Sequence, residues 1–312
     1  MRSLADRANA LEQFLLTLSV PSLVSATSLP LLSDRIQVQY IPLEPPQTLS
    51  RFVENVFYLK GYSAEHPFER IVPDMSSSLV IELDGRERWV LDNDSLKPKQ
   101  SCKGSWISGP HRQYFTIGTL PDTELLAVRF RLGGLYPLLK KSVFEVTDQI
   151  VPGPTFLGDS ILSLRSLILD SESPEEKLQR MIEWLERNMD LSLEPPSPIQ
   201  DVIQSIQDDP TVSTLAECMA GTGYSTKHVI DLFKKHVGLR PKDLQRIIRF
   251  SHALSSVQNG ESLSWAALSL DCGYTDQSHF IRDFKRFSGF TPTVFRNMDS
   301  DRENFFPIDS EK

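Results

Sequence analysis

Up to about residue 131 the apolar residues fall in short runs, Ile36–Ile41, Phe52–Leu59, Leu79–Leu83, Arg88–Leu91, Tyr114–Ile117 and Leu125–Phe130, separated by Pro, Gly, Asp and Asn. Short runs broken by turn formers predict strands. Then the period changes. Over Phe156–Leu169 and Pro174–Met189 the apolar residues recur at helical spacing. Pro174 suits a first helical turn, and Glu175-Glu176 suits the positive end of a helix dipole. Leu178, Met181, Ile182 and Leu185 repeat at i, i+3, i+4, i+7, a stripe fit to cover a barrel or to meet a second chain. Glu194-Pro195-Pro196-Ser197-Pro198 reads as a stiff linker, and everything beyond it reads helical.

The helical part repeats itself. Shifted by 51 residues, Ser225–Pro241 lies over Asp276–Pro292, with His228/His279, Ile230/Ile281, Phe233/Phe284, Lys234/Lys285, Gly238/Gly289 and Pro241/Pro292 identical. Each copy opens on a residue able to cap a helix, Ser225 or Asp276, and carries an apolar stripe: Val229, Leu232 and Phe233, or Phe280, Phe284 and Phe287. Gly238 and Gly289 stop the helices, and the prolines begin the next ones. Upstream of each lies a shorter amphipathic helix, Val212–Ala220 or Leu263–Leu270, ended by Gly221-Thr222-Gly223 or Asp271-Cys272-Gly273. Short helix, tight turn and capped helix make a helix-turn-helix, here in two copies joined by a helix over Pro241–Val257. Stacked helical arrays generally need three units to bury a continuous core, which disfavours a solenoid.

A chain of 312 residues, 40% apolar and 24% charged, fits about two globular domains and excludes wholesale disorder. The longest apolar stretch, Phe14–Val24, contains Thr17, Ser19, Pro21 and Ser22 and falls short of the roughly 20 residues that span a bilayer. Asp6 and Glu12 argue against a signal peptide, so a cytoplasmic protein with no membrane partner is expected. Cys102, Cys218 and Cys272 are odd in number and far apart, and the six histidines are scattered, so neither a disulfide framework nor a metal site is expected.

Net charge is −8, but it divides unevenly: −9 over residues 1–210, +4 over 211–298 and −3 over 299–312. A basic module between acidic segments suits a polyanionic partner at that module.

The run from Gly273 to Pro292, GYTDQSHFIRDFKRFSGFTP, closely resembles the signature of AraC/XylS-type transcriptional regulators, and Ser197–Asn297 resembles their DNA-binding domain as a whole. The N-terminal part resembles a divergent cupin-like sensor through Glu69–Asp74, Val128–Gly134 and Thr147–Pro152, with Met75 and Leu132 where Gly and Pro are expected. The resemblance implies an α+β protein. Its parts are an N-terminal extension (1–35), a small cupin-like β-barrel with C-terminal helices for sensing or dimerisation (36–192), a Pro-rich linker (193–198), an all-α domain with two helix-turn-helix modules (199–298) and an acidic tail (299–312).

In that family the second helix of each module enters the major groove of double-stranded DNA. Groove-facing positions fall on Thr226, Lys227, Ile230 and Asp231 in the first copy and on Gln277, Ser278, His279 and Arg282 in the second; Lys234, Lys235, Lys285 and Arg286 are phosphate candidates. Arg pairs with guanine and Gln with adenine, whereas Ile230 offers apolar contact and Asp231 is repelled by phosphate unless a cytosine amino group rewards it. Where the first helix of a module usually carries a small Ala, this chain has Met219 and Ser269. The expected function is a sequence-specific DNA-binding regulator without catalytic residues, metal or cofactor. A small-molecule effector, RNA polymerase and a second copy of the chain are further candidate partners.

Several residues keep two readings. Arg282 reads a base or pairs with Asp283 or Asp276. The lysines meet phosphate or only water, and His228 and His279 face DNA or solvent. Trp89, Trp106, Tyr114 and Phe115 line a pocket or fill a core; Arg70, Asp74 and Arg129 form a structural pair or an anion site. The rival function is a cupin-type metalloenzyme or ligand-binding protein with an appended nucleic-acid-binding module. Against its metal site, only His66 and His111 lie in the first 210 residues.

Overall fold

The computed structural model describes residues 38–210, 215–258, 264–296, 298 and 305–308. The apolar stretch Phe14–Val24, the N-terminal extension and the starts of the helices expected from Val212 and Leu263 lie outside the described residues.

The N-terminal half holds two antiparallel sheets. The larger runs in the order β1 (Gln39–Leu43), β2 (Val53–Tyr62), β9 (Thr123–Phe130), β4 (Ser77–Glu82), β7 (Ser105–Ser108), β10 (Ile150–Pro152). The smaller contains β3 (Phe68–Ile71), β8 (Phe115–Gly118), β5 (Glu87–Leu91) and β6 (Pro98–Lys103). Six strands overlap the apolar runs of the sequence. The short strands β3, β6, β7 and β10 carry too little alternation to stand out.

Strand period assigns the two faces of the larger sheet. Val56, Tyr58, Leu79, Ile81, Ile107, Leu126 and Val128 point outward into a core shared with two helices, α3 (Asp159–Asp170) and α4 (Pro174–Asn188). Before them come the short helices α1 (Tyr136–Leu139) and α2 (Gly153–Leu157) and a 3-10 turn at Val143–Val146. The helix expected over Phe156–Leu169 is broken at Gly158, which sits at φ +60° between α2 and α3. The Ser173 hydroxyl caps α4 by accepting from the Glu176 N–H at 3.1 Å. Lys177, buried, donates to the carbonyls of Ile168 and Ser171 and so closes the end of α3 from the next helix. Leu178, Met181, Ile182 and Leu185 are buried within the same chain, so that stripe covers the barrel.

The C-terminal half is helical: α5 (Ser197–Asp208), α6 (Leu215–Gly221), α7 (Thr226–His236), α8 (Pro241–Gln258), α9 (Trp265–Asp271), α10 (Gln277–Ser288) and α11 (Pro292–Arg296). Its core is aromatic. Phe233, Phe250, Phe280 and Phe284 are fully buried, each such burial contributing about 1.5 to 3 kcal/mol. The two copies are not equally seated. Ser269 in α9 is buried and donates to the Ala266 carbonyl, whereas α6, with the bulkier Met219, buries no residue completely.

One element was not expected. Within the segment read as an acidic tail, β11 (Phe305–Ile308) returns to pair antiparallel with β3 and becomes the edge strand of the smaller sheet. Phe306 from this strand is fully buried in the core of the helical half, 4.7 Å from the Phe295 ring, and Val72 of the barrel enters the same core. Barrel and helical domain thus share a hydrophobic core.

Candidate nucleic-acid interface

Both second helices begin as their caps dictate. The Ser225 hydroxyl accepts from the His228 N–H at 3.3 Å, and the Asp276 carboxylate accepts from the His279 N–H at 2.7 Å. The rings that follow also match. Tyr224 meets His228 edge to face, and Tyr274 meets His279 in the same way.

The exposed faces differ between copies. On α7, Thr226, Lys227 and Asp231 are exposed and Ile230 is half-buried. On α10, Gln277, Ser278, Arg282, Lys285 and Arg286 are exposed and His279 is half-buried. Asp283 lies buried behind this face, where Arg246 of α8 binds it, with Nε 3.0 Å from Oδ2; His279 stands 3.7 Å away. That bond raises the Arg246 guanidinium above its ordinary range against the cost of burial. The reading in which Arg282 pairs with Asp283 or Asp276 is not the arrangement found: Asp283 serves Arg246, Asp276 caps the helix, and Arg282 Nε donates to its own helix at Ser278 O, 3.4 Å away. Arg246, Arg282, Arg286 and His279 border one shallow basin.

Lys234 sits elsewhere. Its ammonium lies 5.1 Å above the Phe144 ring and its carbonyl accepts from the Ser142 hydroxyl, so it faces the N-terminal half. Lys235 and His236 follow, both against the Tyr136 ring. Burial pushes the His236 imidazole down to about 4, with Lys235 adding to the shift. The C-terminal end of α7 is therefore an interdomain contact, which composition and spacing alone do not signal.

A cavity of about 250 Å³ lies inside the barrel between the two sheets. Phe57, Leu59, Val80, Phe115 and Ile117 are among the apolar residues of its wall, and the inward residues of β4, β7 and β9 add polar groups. Of the four aromatics singled out in the sequence, Trp106 and Phe115 line it, Trp89 is 42% exposed and Tyr114 joins the helical domain. The trio Arg70, Asp74 and Arg129 is split. Arg129 bridges Asp74 at 2.9 Å and Glu54 at 2.7 Å at the cavity wall. Burial opposes ionisation of Asp74, yet Arg129 and the Ser76 N–H and hydroxyl hold its carboxyl below the usual range. Arg70 instead lies between the rings of Tyr114 and Phe290, 4.6 and 4.5 Å from their centroids. His111 bonds Ser108 at the cavity wall and is pushed down to about 4 by burial, so it is neutral at pH 7. Met75, where Gly is expected, holds the left-handed conformation at φ +70° that glycine adopts without strain. Among the described residues no group of three or more His, Cys, Asp or Glu is arranged to hold a metal ion, and no helix is long and apolar enough to cross a membrane.

Two capped helices at a 51-residue repeat, each behind a shorter helix and a tight turn, define a tandem helix-turn-helix domain. Residues 219–298 match the family model described as "Helix-turn-helix domain", and residues 42–152 match "Domain of unknown function (DUF6597)". The family match over 219–298 thus falls on the helical domain that carries both capped helices. An uncharacterized HTH-type transcriptional regulator of Haemophilus influenzae is 26% identical over 95 residues, 30% of this chain and 30% of that protein, so the chain spans under a third of that relative's length. Among solved structures, fatty-acid-bound ToxT from Vibrio cholerae aligns with a TM-score of 0.41 at 11% identity over 86% of this chain and 98% of that one. A probable AraC family transcriptional regulator from Rhodopseudomonas palustris aligns with a TM-score of 0.30 at 23% identity over 32% of this chain and 95% of that one.

Proposed function

We propose that the protein is a sequence-specific DNA-binding transcriptional regulator whose barrel senses a small molecule and sets the two recognition helices. The observation that carries this reading is the pair of capped helices with polar, exposed N-terminal faces, both seated by their C-terminal ends on one barrel. Gln277, Ser278, His279 and Arg282 read base edges in one major-groove segment; Lys285 and Arg286 hold phosphate. Thr226, Lys227, Ile230 and Asp231 face a neighbouring segment about one helical turn, ~34 Å, away. Lys234, turned to Phe144, steadies the first helix against the barrel.

Sensing is supported by continuity between cavity and seats. Ile71 and Phe115 line the cavity, and their chain neighbours Arg70 and Tyr114 hold the end of α10. His111 lines it too, and its neighbour Pro110 packs on the end of α7. A ligand that moves these strands moves both helices. Selection of bound sequences from random duplex DNA, by the full chain, tests the reading. A recovered motif supports it; recovery of unselected sequence at low salt, with no preference, overturns it.

A further inference from the structure

The exposed face of α10 sits over a buried charge. Asp283 is 3% exposed, and His279, Arg282 and Arg286 border the same basin with it. The internal repeat shows that the fold does not require this charge: the equivalent position of α7 is Leu232, which packs against the core of the helical domain. A carboxylate buried where a leucine would serve is costly unless it is paired.

Its partner comes from another helix. Arg246, in the second turn of α8, meets both carboxylate oxygens, Nη2 on Oδ1 and Nε on Oδ2 at 3.0 Å, while its guanidinium lies 5.7 Å from the Phe287 ring. A guanidinium fork on a carboxylate engages both oxygens at once and fixes the plane of the acid. His279 stands 3.7 Å from Oδ2, and Arg282 donates to the Ser278 carbonyl instead. Without Arg246 the buried carboxylate would need another cation, since breaking such a pair from one side is strongly unfavourable. Side chains at i−4 and i+3 of a helix are neighbours, so His279 and Arg286 lie within reach, and Arg282 borders the same basin.

We propose that Arg246 is a positioning residue for DNA readout: by holding Asp283 from α8, it keeps Arg282, Arg286 and His279 turned outward to the nucleic acid. This rests on α10 being a reader of DNA, as proposed above, and adds the residue that keeps its side chains available. In this role Arg246 touches neither base nor phosphate.

The test uses the full-length protein and three variants: Arg246→Met, Arg246→Lys, and Arg246→Met combined with Asp283→Leu, the residue that the repeat places there. Binding to the selected duplex and to its single-base variants is measured beside urea denaturation. At the base pair read by Arg282 the parent chain should discriminate by about fivefold or more. Arg246→Met should cut this to under about twofold, and Arg246→Lys, which leaves a charge on Asp283, should keep most of it. The double variant should restore discrimination to within about twofold of the parent, because the buried charge has gone with its partner. A direct phosphate contact by Arg246 predicts instead a uniform loss on all sequences with no rescue, and a merely structural bond predicts preference that follows stability. Loss of preference in the folded double variant, or full preference in Arg246→Met, overturns the inference; the double variant carries the test where Arg246→Met does not fold. A crystal structure of Arg246→Met should show Asp283 met by His279, Arg282 or Arg286, and Arg249 or water in their place overturns the inference without reference to DNA. A parent chain that selects no sequence overturns the reading of α10 alone, so the two fail separately.

Discussion

Gly238 and Gly289 occupy the same point of the internal repeat, and each lends its carbonyl oxygen to the barrel: Gly238 accepts from the Thr147 hydroxyl at 2.5 Å and Gly289 from the Arg70 guanidinium at 3.4 Å. Both glycines follow the capped second helices of the repeat, at φ +82° and +79°, and both lie too close to the barrel for a side chain. An added Cβ at Gly238 would stand 2.7 Å from Pro110 and 2.8 Å from Val143; at Gly289 it would stand 2.5 Å from Arg70 and 2.8 Å from the Tyr114 ring. The helix stop that the repeat displays is also the docking surface.

Gly238→Ala should therefore cost more than conformational strain alone. Gly223→Ala is the matched control, because Gly223 has φ +74° but nothing within 4 Å of an added Cβ. We expect about 1 kcal/mol for Gly223→Ala and at least about 2 to 3 kcal/mol for Gly238→Ala, read by chemical denaturation of the full chain. Equal losses would show that the contact with Pro110 and Val143 yields easily.

The returning strand should matter to stability well beyond its length. Phe306 is fully buried between the barrel edge and the helical core, so Phe306→Ala should cost about 3 to 5 kcal/mol. A change below about 1 kcal/mol in the same denaturation experiment would mean that β11 adds nothing to the fold.

Acid should loosen the seat of α7. His236 is held neutral in the fold down to about pH 4, whereas an unfolded histidine takes its proton near pH 6.5. Between these values the unfolded chain binds more protons, so stability falls as pH drops from 6.5 towards 4 and is retained above 6.5. The repeat offers the control: the equivalent position is Phe287. His236→Phe should make the loss of stability between pH 7 and pH 5 smaller by on the order of 1 to 2 kcal/mol. An unchanged difference between those two pH values would place the acid sensitivity elsewhere, His111 being the next candidate.

Readout should be uneven between modules. Arg282 is exposed, and Asp283 and Asp276 are both engaged elsewhere; the repeat places Asp231 at the equivalent point of α7. Arg282→Ala should cost about 1 to 3 kcal/mol on the selected site and relax preference at one base pair, while Lys285→Ala weakens all sequences alike. Asp231→Ala should raise affinity for most sequences by removing a charge that phosphate repels. Binding curves over a panel of single-base variants separate these outcomes, and a loss of affinity with Asp231→Ala would make that residue a reader.

Local signals carried the helical domain. The caps at Ser225 and Asp276, the phenylalanine stripes and the glycine stops each act within a few residues, so helix starts, ends and buried faces could be read from the sequence. Alternation likewise marked the long strands. What the chain alone did not reveal depends on pairing across distance. The run FFPI carries no sign that it will pair with β3, more than two hundred residues earlier, and Arg70 carries no sign that it leaves Asp74 and Arg129 to lie between Tyr114 and Phe290. Lys234 matches Lys285 residue for residue, yet one meets Phe144 and the other is exposed, because the barrel packs against the end of α7 at that point. Helix caps and periodicity are properties of neighbours along the chain and were settled by the sequence; the sharing of arginines between carboxylates and the docking of two helix ends on one barrel exist only once distant segments have packed, and the tertiary structure decided them.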